Sequence, residues 1–296
     1  MSAYIKGTRR QKPPVFRNIK IGNFEVPFGV IIIMLFAALY LLCLAGSKIE
    51  NGSDALMLEI VSFAIFALFA YSVRKNLLQL KPFIRIIDVF LGLSLIPVLW
   101  DLAQFFNLYN TAGLTITSIV NVLLSMAIVA MVLYYEKDKL GEIYVKAGNV
   151  KAGIMTGIAG LAGCCVLAIA ALYLWFNADF SNISALLPVL AALCVFSLTA
   201  AFAEELWFRG ILLARLLPLA GLHMSLLIQT AIFAIFEAII AYTILPQAFF
   251  VLIVLIAAVI PGYYWGRMTV QNNSILGSTL FHTGFYILIA LPVFFK

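Results

Sequence analysis

Eight ionisable side chains lie in stretches too apolar to hydrate them: Glu59, Asp88, Asp101, Glu204, Glu205, Arg209, Glu237 and His282. A charge near a bilayer centre costs at least about 2.5–3.5 kcal/mol, so each needs a partner or a task. Glu205 and Arg209 are four residues apart, share a helix face and can pair. Glu204 points about 100° away from Glu205 on an α-helix and needs another partner. Glu237 and His282 fall in two later apolar runs at related depth. Two carboxylates and an imidazole brought together can take a proton from water and return it, the acid–base chemistry of hydrolysis. They can equally relay protons. Glu204, Glu237 and His282 also form a carboxylate-rich set that could hold a metal ion, the weaker alternative. No His-Glu-x-x-His helix is present and His223 reads as an interfacial residue, so no cofactor is expected. Glu59, Asp88 and Asp101 sit near run ends or beside Pro97 and read first as structural groups.

The elements that must position these groups follow from composition. Of 296 residues, 64% are hydrophobic and 11% charged, against roughly 45–50% and 25% for soluble domains. That excess excludes a cytosolic enzyme, a disordered chain and a nucleic-acid binder. Nine segments reach the roughly 20 apolar residues of a membrane-spanning helix: 26–46, 55–73, 83–106, 114–135, 153–176, 183–206, 224–245, 247–268 and 274–295. The fold class is therefore all-α, a polytopic integral membrane bundle of about nine helices. A cytoplasmic N-terminus puts 17 of the 19 Lys and Arg residues on the inner side, leaving Lys48 and Lys296 outside, as the positive-inside rule requires. The C-terminus then lies outside, and the plasma (inner) membrane is the expected location. The sequons at Asn51 and Asn182 also fall outside.

Residues 1–25 read as a basic cytoplasmic tail and 26–135 as an N-terminal four-helix membrane region. Residues 136–152 read as a short amphipathic or solvated cytoplasmic connector, and 153–296 as a C-terminal membrane region holding the motif core, 183–295. Gly153, Gly157, Gly160 and Gly163, and again Gly262 and Gly266, recur at spacings that let helices approach closely. The four cysteines all lie in apolar runs with no paired spacing. Trp207, Tyr263, Tyr264 and Trp265 read as interfacial aromatics.

The chemistry-bearing residues resemble the CAAX-protease and bacteriocin-processing (Abi) family of intramembrane glutamate-type peptidases. Its Glu-Glu-x-x-x-Arg motif matches Glu204-Glu205-Leu206-Trp207-Phe208-Arg209. Its Phe-x-x-x-His motif aligns with Phe233 to Glu237, and its His-x-x-x-Asn motif with His282 to Tyr286. The resemblance implies that Glu204 activates water together with the residue at 237, and that His282 and Tyr286 stabilise the oxyanion. Glu205, Arg209 and Phe233 would support them. Glu237 and Tyr286 stand where the family has histidine and asparagine, so the second motif is altered.

Three readings follow. The first is an intramembrane endopeptidase acting at the inner half of the membrane, in a cavity open to the cytoplasm or inner leaflet. The alternative is a catalytically silent member that acts as a scaffold or chaperone for a membrane partner. The remote one is a proton-coupled carrier, without the inverted repeats or paired broken helices expected of it. Membrane lipid and a peptide or membrane-protein substrate are the expected partners, with no nucleic acid. The topology predicts that Gly52→Cys and Gly141→Cys, in a chain free of native cysteines, react with an impermeant thiol reagent from opposite sides. Labelling from one side would overturn it.

Overall fold

In the computed structural model, residues 18–21, 24–49, 53–105, 111–174, 183–244 and 246–295 are described. The sequons at Asn51 and Asn182, Lys296 and the chain before Asn18 lie outside them, as does the side chain of Asp101. The tail expected over 1–25 ends in a short antiparallel hairpin, β1 (Asn18–Ile21) with β2 (Phe24–Pro27). Nine helices follow among the described residues. They are α1 (Phe28–Ile49), α2 (Ser53–Lys75), α3 (Ile84–Phe105), α4 (Thr111–Glu136) and α5 (Val150–Leu174). Then come α6 (Ile183–Glu205), α7 (Leu213–Ile244), α8 (Ala248–Asn272) and α9 (Leu276–Phe294). The protein is a helical integral membrane protein. Six helical stretches are long and apolar enough to cross a membrane. One of them, Leu186–Thr243, runs for 58 residues and takes in both α6 and α7. The apolar stretch of α9, Leu276–Leu291, is shorter. The α3 helix, with Asp88, Pro97 and Asp101, is not in that set.

Two breaks shape the long stretch. Directly after Glu205 the chain widens into a π-helical segment, Leu206–Leu212, whose seven residues are all buried. Such wide turns are rare and concentrate at functional sites. Then α7 breaks at Gly221, whose φ of 72° favours glycine because a Cβ would crowd the backbone. The span expected to end at 206 thus continues as buried helix, and the helix carrying Glu237 begins again after the break.

Charges of the N-terminal half find partners at the two ends of the bundle. At one end Lys48 binds Glu59 at 3.2 Å. At the other, Arg74 Nη2 reaches both Asp88 oxygens at 2.6 and 2.7 Å. Arg215 at the start of α7 joins Glu136 and Asp138 at 2.5 and 2.6 Å. Glu59 and Asp88 are therefore ion-pair members.

The connector after α4 is largely exposed but is anchored at a few points. Its 3-10 turn, Leu140–Ile143, buries Ile143 completely. Ser274 donates to the Lys146 carbonyl at 2.6 Å, Asn149 N–H to the Asn272 carbonyl at 2.7 Å, and Ile275 N–H to the Tyr144 carbonyl at 3.1 Å. These bonds tie it to the turn between α8 and α9.

Small residues let α5 lie directly on α9. A Cβ at Gly277 would stand 2.6 Å from the Gly153 carbonyl oxygen, and one at Gly157 would meet the Gly277 carbonyl oxygen at 2.7 Å. Gly163 breaks the pattern, with nothing within 4 Å of its Cβ position. Gly277→Ala should therefore cost about 1–3 kcal/mol through overpacking. Gly163→Ala should be neutral or stabilising by about 1 kcal/mol, as for Ala in a helix interior. Thermal unfolding in detergent compares them; equal shifts would refute the α5–α9 contact.

Candidate functional site

Four segments assemble the site: the end of α6, the π segment, the middle of α7 and the first half of α9. Glu205 sits at their centre with no exposed surface. Its Oε1 lies 2.9 Å from Arg209 Nη1 and 2.9 Å from His282 Nδ1. An ionised carboxylate can only accept, so Nδ1 carries the hydrogen of that bond. Sequence spacing anticipates the pairing with Arg209; the bond to His282 is new. Besides pairing with Arg209, Glu205 thus orients the imidazole.

Aromatic rings complete the enclosure. The Arg209 guanidinium lies 3.8 Å over the Phe233 ring centroid and 5.2 Å from that of Trp265. Cation–π attraction of this kind is strengthened by desolvation. The His282 ring is held between Trp265, stacked at 4.3 Å, and Tyr286, at 5.1 Å, with Phe233 edge-on at 5.5 Å. Trp265 and Trp207 are fully buried, not interfacial as expected; Tyr264 is exposed. A sequence signal for Trp265 exists. Val254, Ala258, Gly262, Trp265, Gly266 and Thr269 form the buried stripe of α8 at helical spacing.

Past His282 the remaining groups converge. Its Nε2 stands 3.7 Å from Glu204 Oε2 and 3.8 Å from Glu237 Oε1. One ligand atom from each of the three residues lies within 4.8 Å of the others. Tyr286 donates its hydroxyl hydrogen to Glu204 Oε1. That bond turns the second Glu204 oxygen toward the gap. Glu204 Oε2, Glu237 Oε1 and His282 Nε2 are all buried without a hydrogen-bond partner. His223 is exposed, just after the Gly221 break, and is not in this group.

Glu204, with Tyr286, also lines a cavity of about 410 Å³, while Glu237 and His282 stay enclosed behind it. The lining climbs from Glu204 and Tyr286 past Phe196, Ser118, Asn121 and Pro97 to Lys48, Thr243 and Phe294. These last three stand in the final turns of α1, α7 and α9. The cavity thus extends away from the basic end that holds Arg74, Arg85 and Arg215. A cavity open to the cytoplasm and basic loops on the cytoplasmic side were both expected; in this bundle they are at opposite ends.

A family model described as Type II CAAX prenyl endopeptidase Rce1-like matches residues 186–288. That range contains Glu204, Glu205, Arg209, Phe233, Glu237, His282 and Tyr286. No curated protein and no solved structure matches the chain.

Removing Arg209 alone would strand the Glu205 carboxylate in the core. Arg209→Gln should destabilise the protein by about 3–5 kcal/mol, and the double variant with Glu205→Gln by clearly less. Denaturant unfolding followed by tryptophan fluorescence reads this. Additive losses would show that Glu205 and Arg209 do not act as a pair.

Proposed function

We propose, on the premise that the chain belongs through residues 186–288 to the CAAX-protease family, that it is an intramembrane endopeptidase. The observation that carries this reading is the convergence of Glu204, Glu237 and His282 on one buried gap, with Glu204 also lining a cavity. Two carboxylates this close do not both ionise readily, so they share a proton. Glu204 accepts the Tyr286 O–H and serves as the base; Glu237 holds the proton.

Glu204 takes a proton from water, and the hydroxide adds to the peptide carbonyl carbon. Once protonated, Glu204 releases the Tyr286 hydroxyl, which turns to the oxyanion. His282 donates there from Nε2 as an imidazolium whose other N–H is held by Glu205. Collapse breaks the C–N bond, and the Glu237 proton passes to the leaving amine. Glu237, which stands in the place of the family's histidine, thus acts as the acid of a carboxylate dyad.

The cavity supports a substrate of apolar character, because Leu44, Ile96, Leu114, Phe196 and Ile289 line its walls. It reaches the site from the Lys48 end, which the distribution of basic residues assigns to the outer side. The altered positions 237 and 286 favour one rival, a silent member that holds a membrane partner in the same cavity.

Incubation of the purified chain with a library of apolar peptides tests the reading. Glu204→Gln and Glu237→Gln should each lower cleavage by at least about 10²-fold, the lower end of what acid–base catalysis contributes. Glu237→His should keep or raise it. Cleavage unaffected by Glu237→Gln would end the dyad. No cleavage by any variant, Glu237→His included, with a membrane partner still captured, would leave the silent scaffold.

A further inference from the structure

We infer that a second cavity, at the basic end of the bundle between α2, α3 and α4, binds the headgroup of an anionic phospholipid. The chemistry it fits is a phosphodiester that also carries hydroxyl groups, as in phosphatidylglycerol. This goes beyond the peptidase reading and does not rest on it, because the cavity lies outside residues 186–288.

The cavity measures about 300 Å³, and Arg74, Lys81 and Arg85 line it together with Asp88, Glu136 and Tyr135. Each cation has donors to spare. Arg74 spends only Nη2 on the two Asp88 oxygens, and its guanidinium lies 4.8 Å from the Tyr135 ring centroid. Arg85 spends Nη2 on Asp138 at 3.1 Å. Lys81, in the 3-10 turn Leu78–Phe83, makes no hydrogen bond or ion pair among the described residues. Arg74 answers Asp88, Arg215 answers Glu136, and Arg85 answers Asp138. The charge left over is that of Lys81, and a phosphodiester carries the single negative charge that matches it. Guanidinium and ammonium donors to phosphate make strong, charge-assisted hydrogen bonds.

The carboxylates narrow the headgroup further. Glu136 Oε2 is held by Arg215 at 2.5 Å, while Oε1 is buried without a hydrogen-bond partner. An ionised carboxylate oxygen only accepts, so it repels a bare phosphate oxygen and takes a hydroxyl hydrogen. A headgroup that gives phosphate to Lys81 and Arg85 and a hydroxyl to Glu136 satisfies both. Choline brings a further cation and no hydroxyl.

Placement assigns the ligand to a lipid. Arg74 stands in the last turn of α2, Arg85 in the first of α3 and Glu136 in the last of α4. Tyr134 and Tyr135 are exposed at that level, as aromatics of a membrane interface are. One turn deeper Tyr71 and Met131 are exposed too, so acyl chains can lie along α2 and α4 directly beneath the cavity. Basic cavities between membrane helices at this depth recognise anionic headgroups.

The test uses the full chain in neutral detergent, freed of co-purified lipid, with dioctanoyl phosphatidylglycerol as the probe. Native mass spectrometry should show one lipid per chain, and thermal unfolding a raised midpoint. Phosphatidylethanol keeps the phosphodiester without hydroxyls and should bind several-fold more weakly; phosphatidylcholine should not bind at the same concentration. Lys81→Ala should weaken binding about fivefold, and Lys81→Glu more. Lys139→Ala, exposed and outside the lining, should leave it unchanged. Arg74 is kept because its loss would strand Asp88. Unfolding curves without lipid establish that each variant is folded. Equal binding by the wild-type chain and folded Lys81→Glu would overturn the site, as would equal retention of phosphatidylcholine. Glycerol 3-phosphate binding as tightly as the lipid would overturn the lipid assignment in favour of a soluble anion. Phosphatidylethanol binding as tightly as phosphatidylglycerol would overturn the hydroxyl contact with Glu136.

Discussion

A carboxylate withdrawn from water must be matched by opposite charge, and Glu205 is where this chain meets that demand. Its charge is answered by Arg209 four residues on and by the Nδ1 hydrogen of His282 from the last helix. Breaking one side of such an arrangement costs several kcal/mol, so the three groups fix one another. Much else follows from satisfying them. The π segment after Glu205 buries Arg209 together with six neighbours. Phe233 and Trp265 supply ring faces for the guanidinium, drawing α7 and α8 against the same point. For α9 to bring His282 this deep, α5 must lie on it backbone to backbone, which Gly153, Gly157 and Gly277 allow.

The N-terminal half uses charge differently. Its carboxylates are paired near helix ends, with Lys48–Glu59 at one end and Arg74–Asp88 at the other. The Arg74–Asp88 pair is partly open to solvent and adds little stability, whereas Lys48–Glu59 is nearly enclosed. Arg215 couples the two halves by joining α7 to Glu136 and Asp138. With the ends held, α1, α3 and α4 stand as one wall of the cavity while α6, α7 and α9 form the other. Three of the first four helices thus acquire a task that their sequence does not state: they enclose the approach to Glu204.

Helix positions were legible because hydrocarbon imposes one strong rule, about 20 apolar residues per crossing. The pairing of Glu205 with Arg209 was legible because helical spacing alone decides it. The bond from His282 to Glu205 was not, because it joins residues 77 apart whose relative rotation depends on packing. The burial of Trp207 and Trp265 also escaped a rule that assigns aromatics near span ends to the interface; tertiary contacts override it. The π segment has no compositional mark, since Leu206–Leu212 would suit an ordinary helix. Gly221 was visible as a glycine but not as a break. The anchoring of the connector was hidden for a different reason. Its bonds are made by backbone groups of Tyr144, Lys146 and Asn149, which any sequence would carry.

The direction of the cavity and the state of His282 bear on each other. Glu205 fixes Nδ1 as the hydrogen-bearing nitrogen, so only Nε2 remains to be defined. If Nε2 also carries a hydrogen, the ring is an imidazolium between two carboxylates and serves an oxyanion. If it does not, the lone pair faces those carboxylates and accepts from the proton they share. Both states keep every contact of the enclosed side, because Trp265, Phe233 and Glu205 touch the ring without using Nε2. Only the cavity side differs, and there Glu204 and Glu237 supply two negative charges or share one proton. A histidine at 237 would add an imidazole in place of a carboxylate and lower the negative charge of the gap. Glutamate at that position raises it, so residue 237 sets how tightly the gap holds its proton.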